Sequence, residues 1–91
     1  MIARKFEIVD ENGLHAVPAQ RLVKLVDQVS FAVFAEDEVA GRFAANNALM
    51  LMSLKLHKGA HLRIIVDTPD AGEAEIFFEE VQNILLPKRL M

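Results

Sequence analysis

Hydrophobic and polar residues alternate at the start of the chain and then change to a helical period. From Ile2 to Ile8 the alternation predicts a half-buried strand, and residues 10–13 have the turn chemistry that would end it. From Ala16 onward apolar residues recur on one helical face, with polar residues on the other. We therefore predict an amphipathic helix whose apolar face contains Ala19, Leu22, Val23, Val26 and Val29.

The next segment has the pattern of a β-hairpin. Residues 31–35 are apolar and β-prone, so they predict one strand. Residues 36–38 are all acidic and would form the tip of the hairpin. Residues 39–44 would return as a short second strand, which Gly41 weakens.

A short helix follows the hairpin and is apolar on nearly every side. Asn46 or Asn47 can cap this helix, which runs through Leu54, and Lys58 with Gly59 closes the segment. One packing face cannot bury apolar residues on every side, so we expect at least one large side chain to be exposed. The candidates for this exposed, partner-binding surface are Leu49, Met50 and Met52, with burial in the core as the alternative for each.

The last third of the chain predicts a strand and a long helix. Alternate apolar residues from Leu62 to Val66 predict the strand. Asp70 and Glu73 form a capping box ahead of an apolar stripe that we expect to stop at Pro87. The stripe consists of Ala74, Phe77, Phe78, Val81, Ile84 and Leu85.

The order of elements is therefore βαββαβα, which predicts an α+β fold. The hairpin favours antiparallel pairing, and helices with one apolar stripe each must cover a face of a sheet. We predict a four-stranded antiparallel sheet with three helices on one face and water on the other. The 91 residues, 53% of them hydrophobic, fit a single domain over residues 1–91.

Composition then narrows the classes of function. The net charge of −3 has the wrong sign for binding nucleic acid or an anionic membrane through the overall field, so any bound anion must be held locally. The chain has no cysteine, which excludes disulfides and thiolate metal sites and fits a reducing compartment. The start lacks the apolar block of a signal peptide, so we expect a soluble, cytoplasmic protein.

One histidine stands where the first loop meets the first helix. We expect His15 at about the N-cap, where the N–H groups of Ala16 and Val17 have no partner within the helix and the helix dipole is positive. Pro18 lacks an N–H that would be unpaired there in any case. Imidazole is a good nucleophile near neutral pH, and a phosphoryl group on it could contact the two amides. A phosphohistidine fits this position, and simple helix capping is the alternative.

Family motifs surround this histidine. The relevant stretches are Gly13-Leu14-His15-Ala16, Pro18-Ala19, Met52-Ser53-Leu54 and Lys58-Gly59-Ala60. With them the chain resembles HPr, the histidine-containing phosphocarrier of the bacterial phosphotransferase system, over essentially its entire length and in the same βαββαβα order. Residues 45–49 and the slightly long hairpin are closer to NPr, the nitrogen-branch relative, than to the sugar-branch HPr.

The resemblance implies a function for His15. It would accept a phosphoryl group on Nδ1 from enzyme I, itself charged by phosphoenolpyruvate, with the amides of Ala16 and Val17 binding the phosphate. It would then pass the group to a downstream acceptor of the EIIA type or to a regulatory protein. The resemblance implies a monomer that carries no metal and no cofactor, and it leaves sugar uptake and regulation open as pathways.

Two departures from the family pattern bear on this function. Val17 stands where the family has an arginine that helps to hold the phosphate, so a charge-assisted donor worth roughly 1.5 to 3 kcal/mol is missing. Asn47 aligns with the serine that some HPr proteins phosphorylate, so kinase control at that position should be absent. The alternative function is therefore an HPr-fold regulatory binding module with weakened or lost phosphotransfer.

Further polar residues are weaker candidates. Arg21 and Lys24 on the polar face of the first helix could form a basic rim for acidic partners or an ordinary solvated face. His57 and His61 are four residues apart, but Gly59 lies between them at a predicted helix end. We therefore expect no metal site there.

Overall fold

The computed structural model describes residues 1–86. Four strands form one antiparallel sheet in the order β1-β4-β2-β3, and three helices accompany it. The strands are β1 (Ile2–Glu7), β2 (Val33–Asp37), β3 (Gly41–Ala44) and β4 (His61–Val66). The helices are α1 (Ala16–Gln28), α2 (Ala48–Ser53) and α3 (Ala71–Leu85). The predicted α+β fold and βαββαβα order are confirmed, whereas the predicted stop at Pro87 lies outside the described residues.

One face of the sheet and all three helices share a single hydrophobic core. Alternate residues of β1, β2 and β4 point into it because successive side chains of a strand face opposite sides of the sheet. The strands contribute Phe6, Val33, Ala35, Leu62, Ile64 and Val66. The helices contribute Leu22 and Leu25 from α1, Leu51 from α2, and Phe77, Phe78 and Val81 from α3. All three helices therefore cover the same face of the sheet.

The buried face of α1 differs in part from the predicted one. Ala19 and Leu22 are buried as predicted, and Leu25 joins them although the pattern did not select it. The predicted positions Val23, Val26 and Val29 are only partly buried against the core. Because α1 contacts both α2 and α3, its covered surface is wider than a single stripe.

The hairpin lies about two residues later than predicted. β2 begins at Val33 and not at residue 31, the tip is formed by residues 38–40, and the return strand begins at Gly41. The Asp37 carboxylate accepts hydrogen bonds from the Val39 and Ala40 N–H groups, which closes the turn. The acidic run is thus divided between the end of β2 and the turn, and Gly41 has a φ of +76° that suits the end of a tight turn.

The opposite face of the sheet meets water at most positions, as predicted, but not at all of them. Glu36 of β2 lies 3.4 Å from Arg42 and 3.6 Å from Arg63, so these side chains form a charged group across three strands. Ile65 is an exception, because only 2% of it is exposed. In the sheet register it lies between Ala3 of β1 and Phe34 of β2, whose side chains share its face.

Helix α3 begins at the predicted cap with a modified capping box. The Asp70 carboxylate accepts from the Gly72 and Glu73 N–H groups. The Glu73 carboxylate accepts a hydrogen bond from the Thr68 hydroxyl, whose oxygen accepts the Asp70 N–H. The reciprocal bond of a simple capping box is therefore relayed through a hydroxyl group.

Candidate functional site

His15 is the N-cap residue of α1. Its backbone is extended, with φ −88° and ψ −171°, and its carbonyl oxygen accepts the first helical hydrogen bond from the Ala19 N–H at 3.1 Å. The first N–H groups of a helix have no acceptor within the helix. Because Pro18 has no N–H, the free donors at the start of α1 are the amides of Ala16 and Val17. The His15 side chain is 37% exposed, and within residues 1–86 it makes no capping hydrogen bond to the helix. The imidazole is therefore accessible beside two free donors.

The loop that presents His15 depends on Gly13. This residue has a φ of +68°, and its N–H donates to the Asp10 carbonyl oxygen at 2.9 Å. A Cβ added at Gly13 would overlap the Leu56 carbonyl oxygen and lie 2.9 Å from the His57 Cα. Only glycine permits both this backbone conformation and this close approach. The Leu14 N–H then donates to the same Leu56 oxygen, which fixes the loop one residue before His15.

A second pair of backbone hydrogen bonds connects the beginning of this loop to the segment between α2 and β4. The Ile8 N–H donates to the Ala60 carbonyl oxygen, and the Gly59 N–H donates to the Ile8 carbonyl oxygen, both at 2.8 Å. Nearby in the same segment, Lys55 has a φ of +53°, which is uncommon for a residue with a Cβ. The loop before α1 and the segment after α2 therefore form one hydrogen-bonded unit.

Asp10 is a neighbour of His15 that the sequence pattern did not single out. Its Oδ2 lies 3.6 Å from the His15 Nε2, and its other carboxylate oxygen accepts the Asn12 N–H at 2.9 Å. The Asp10 side chain is 24% exposed, so water screens this pair only in part. An Asp in a turn commonly accepts the backbone N–H two residues later, so the sequence could have indicated the bond to Asn12. It gives no signal for the contact with the histidine.

The first turn of α1 is apolar at its surface. Val17 is 51% exposed beside the two free amides, so no side-chain cation is supplied at the position where the family has arginine. Arg21 and Lys24 lie in later turns and line a shallow groove between α1 and α3 together with Glu80 and Asn83. The helix start therefore has the partial positive charge of its backbone amides, to which Val17 adds none.

Helix α2 exposes part of its apolar surface. Leu49 is 74% exposed and Met50 36%, whereas Leu51 is fully buried. Met52 is partly buried and packs against the core, so it contributes less to the exposed surface than expected. Asn47 is the cap of this helix, and its side-chain oxygen accepts the Met50 N–H at 3.2 Å.

The two other histidines lie on different elements. His57 belongs to the loop after α2, where its Nδ1 is 3.4 Å from the Lys55 carbonyl oxygen. His61 begins β4, and its Nε2 is 3.9 Å from a Glu7 carboxylate oxygen. Among residues 1–86, no three histidine or acidic side chains are grouped so as to hold a metal ion. In the same part of the chain, every helix is too short or too polar to cross a membrane.

The fold and the histidine at the helix start match one class of protein, the phosphocarriers of the bacterial phosphotransferase system. The family model PTS-HPr, described as the PTS HPr component phosphorylation site, matches residues 2–84. The chain therefore belongs to the HPr family.

Solved structures agree with this assignment. HPr-C-His from Thermoanaerobacter tengcongensis is 23% identical, with a TM-score of 0.78 over 99% of this chain and 100% of its own. A Mycoplasma histidine-containing phosphocarrier protein is 22% identical, with a TM-score of 0.75 over 96% and 100%. The Bacillus subtilis catabolite repression containing protein Crh, solved as a swapped dimer, is 30% identical, with a TM-score of 0.63 over 96% and 100%.

Proposed function

We propose that the chain, acting as one domain over residues 1–91, carries a phosphoryl group on the Nδ1 of His15. The group would come from enzyme I and pass to a downstream acceptor of the EIIA type or to a regulatory protein. The observation that carries this proposal is the position of His15 at the N-cap of α1, half-exposed beside the free amides of Ala16 and Val17. Membership in the HPr family supports the same role.

Phosphoryl transfer through His15 requires little from the carrier beyond the orientation of the ring and positive potential near the phosphoryl oxygens. The helix start has a partial charge of about +0.5, and hydrogen bonds to a charged group contribute roughly 1.5 to 3 kcal/mol each. The Ala16 and Val17 amides would donate such bonds to the phosphoryl oxygens. Phosphoryl transfer passes through a loose transition state between donor and acceptor, so the carrier contributes mainly orientation and electrostatic stabilisation.

Partner docking would use the exposed apolar residues near the start of α1 and on α2. Val17 and Leu49 are each more than half exposed, and Met50 is exposed beside Leu49 on α2. Apolar side chains of this kind, and methionine in particular, adapt to more than one partner surface. Met52 would add to this surface only at its edge, and Arg21 and Lys24 would meet acidic groups of a partner farther along α1.

The three histidines of the chain allow a matched test of the phosphorylation site. The protein is incubated with phosphoenolpyruvate and enzyme I, and the product is examined by phosphorus NMR. We expect one phosphate that is labile in acid and stable in alkali, present in His57→Ala and His61→Ala and absent in His15→Ala. Phosphate that persists in His15→Ala, or its absence from the unmodified protein, would contradict the proposal.

An alternative function is a regulatory binding module of the same fold that no longer transfers phosphate. The exposed Val17 favours this alternative, because its apolar side chain, beside the two amides, provides neither a charge nor a hydrogen-bond donor for a phosphate. A module of this kind predicts a partner complex that is unchanged in His15→Ala and destabilised in Leu49→Ala. Loss of the complex in His15→Ala, with phosphate on the unmodified protein, would exclude it.

A further inference from the structure

The pairing of Asp10 with His15 points to a role beyond phosphate binding. The Asp10 Oδ2 and the His15 Nε2 are 3.6 Å apart, which is within the range of an ion pair and longer than a hydrogen bond. The other Asp10 oxygen accepts the Asn12 N–H at 2.9 Å, and the Gly13 N–H binds the Asp10 carbonyl oxygen. The carboxylate is therefore held by the turn with one oxygen facing one particular nitrogen of the ring.

We propose that Asp10 is a positioning residue that keeps the hydrogen of the neutral His15 ring on Nε2 and leaves the Nδ1 lone pair free. A carboxylate only accepts hydrogen bonds, so it favours the ring form that carries N–H on the side facing it. The hydrogen bond of one ring nitrogen determines the state of the other. A separation of 3.6 Å in the free protein is consistent with a contact that shortens when a partner binds.

The same contact stabilises the phosphorylated ring, a step that rests on the proposed function. The Nδ1 lone pair attacks phosphorus, an N–P bond forms, and the bond from phosphorus to the donor breaks with its electron pair leaving on the donor. The ring then carries phosphate on Nδ1, hydrogen on Nε2 and one positive charge beside the Asp10 carboxylate. On transfer to the acceptor the electron pair of the N–P bond returns to Nδ1, and no proton has to leave Nε2.

Replacement by asparagine gives a sharp test because it preserves the turn and reverses the polarity toward His15. In Asp10→Asn the amide oxygen can still accept the Asn12 N–H, so the NH₂ group faces Nε2 and donates to it. This arrangement favours the ring form with hydrogen on Nδ1, which has no lone pair for phosphorus. Asp10→Ala removes both the acceptor of the Asn12 N–H and the polar group that faces Nε2. Asp37→Asn is a matched control, because the Asp37 carboxylate closes the hairpin turn in the same way, and within residues 1–86 the carboxylate that pairs with His15 is that of Asp10.

The measurement is the ratio of the two neutral ring forms of His15, read from imidazole nitrogen shifts of the unphosphorylated, ¹⁵N-labelled protein at alkaline pH. We expect mainly the Nε2–H form in the unmodified protein and in Asp37→Asn, and at least a threefold lower ratio of Nε2–H to Nδ1–H in Asp10→Asn. An unchanged ratio in Asp10→Asn and Asp10→Ala would overturn the proposal. Amide spectra of the variants establish that the loop remains folded.

The rate of phosphorylation by enzyme I supplies a second readout. We expect Asp10→Asn to lower kcat at least fivefold with little change in KM, because partner docking is left intact and the reactive nitrogen is masked. A faster rate in Asp10→Asn would mean that the carboxylate mainly repels phosphate, and it would overturn the proposal. The ratio of Nε2–H to Nδ1–H forms can shift as expected while neither the unmodified protein nor any variant is phosphorylated on His15. In that case Asp10 still orients the ring, and only the proposed function fails.

Discussion

Gly13→Ala should destabilise the protein more than alanine at either of the other two glycines with positive φ in residues 1–86. A left-handed conformation costs a residue with a Cβ about 1 to 2 kcal/mol, and alanine recovers about 0.4 to 1 kcal/mol by reducing the entropy of the unfolded chain. Strain alone therefore predicts a net loss of about 1 kcal/mol in the free energy of unfolding. Gly41→Ala and Gly59→Ala should show only this loss, because a Cβ at either position meets nothing within 4 Å.

Gly13 differs because its new Cβ would overlap a backbone carbonyl group, which no side-chain rotation can relieve. The loop must move away from Leu56, so the hydrogen bond from the Leu14 N–H to the Leu56 oxygen is lost, at a cost of about 0.5 to 1.5 kcal/mol. The buried Leu14 side chain moves with it. We expect a total loss of about 2 to 3 kcal/mol.

Urea unfolding followed by far-ultraviolet circular dichroism is the appropriate assay, because the chain has no Trp or Tyr to serve as a fluorescent probe. A loss of 2 kcal/mol corresponds to a melting temperature lower by roughly 8 to 16 °C for a domain of this size. If Gly13→Ala, Gly41→Ala and Gly59→Ala all lose the same free energy within about 0.5 kcal/mol, the close approach to Leu56 does not constrain the loop as described.

Three other substitutions test separate features. Val17→Arg should raise the rate of phosphorylation by enzyme I about tenfold, since one charge-assisted hydrogen bond is worth at least about 1.5 kcal/mol; an equal rate would show that the backbone amides suffice. Asp70→Ala should lower the free energy of unfolding by about 1 kcal/mol in urea melts, because two N–H groups at the start of α3 lose their acceptor; no measurable loss would contradict the cap. Lys55→Gly should raise the free energy of unfolding by about 0.5 to 1 kcal/mol in the same urea melts, because it removes the strain at φ +53°. Lys58→Gly, outside the positive-φ region, should not raise it.

The hairpin shows where the sequence pattern was sufficient and where it was not. Two strands and a turn were predicted from the β-prone apolar run and the acidic residues after it, and both strands exist. Their bounds were wrong because Glu36 was treated as a turn residue. In the structure Glu36 lies within β2 and is paired with Arg42 and Arg63 on the charged face of the sheet. The second of these partners is far away in sequence, so only the pairing of β2 with β4 reveals that a charged residue belongs in the strand.

The candidate site was predictable to a similar extent. The position of His15 at the start of a helix, with Pro18 in the first turn, follows from local sequence because capping is a local property. The contact with Asp10 does not, since it depends on the reversal of the chain at Gly13 and on the anchoring of that turn by Leu56. Local patterns therefore identify the candidate histidine, whereas the carboxylate that faces its Nε2 is revealed only by the folded loop.

The hydrogen bonds from the His15 loop to Leu56, Gly59 and Ala60 have a consequence for the order of assembly. Strand β1, which leads into this loop, is paired within residues 1–86 only with β4, and Ile2 lies opposite Val66. Contacts between such distant parts of a chain form slowly, because a long loop must close before they are made. On the ribosome, α1 is synthesised well before β4, so the loop before His15 takes its final shape only after most of the chain has emerged. An incomplete chain that ends before Leu56 therefore has the histidine but lacks the backbone groups that hold its loop in place.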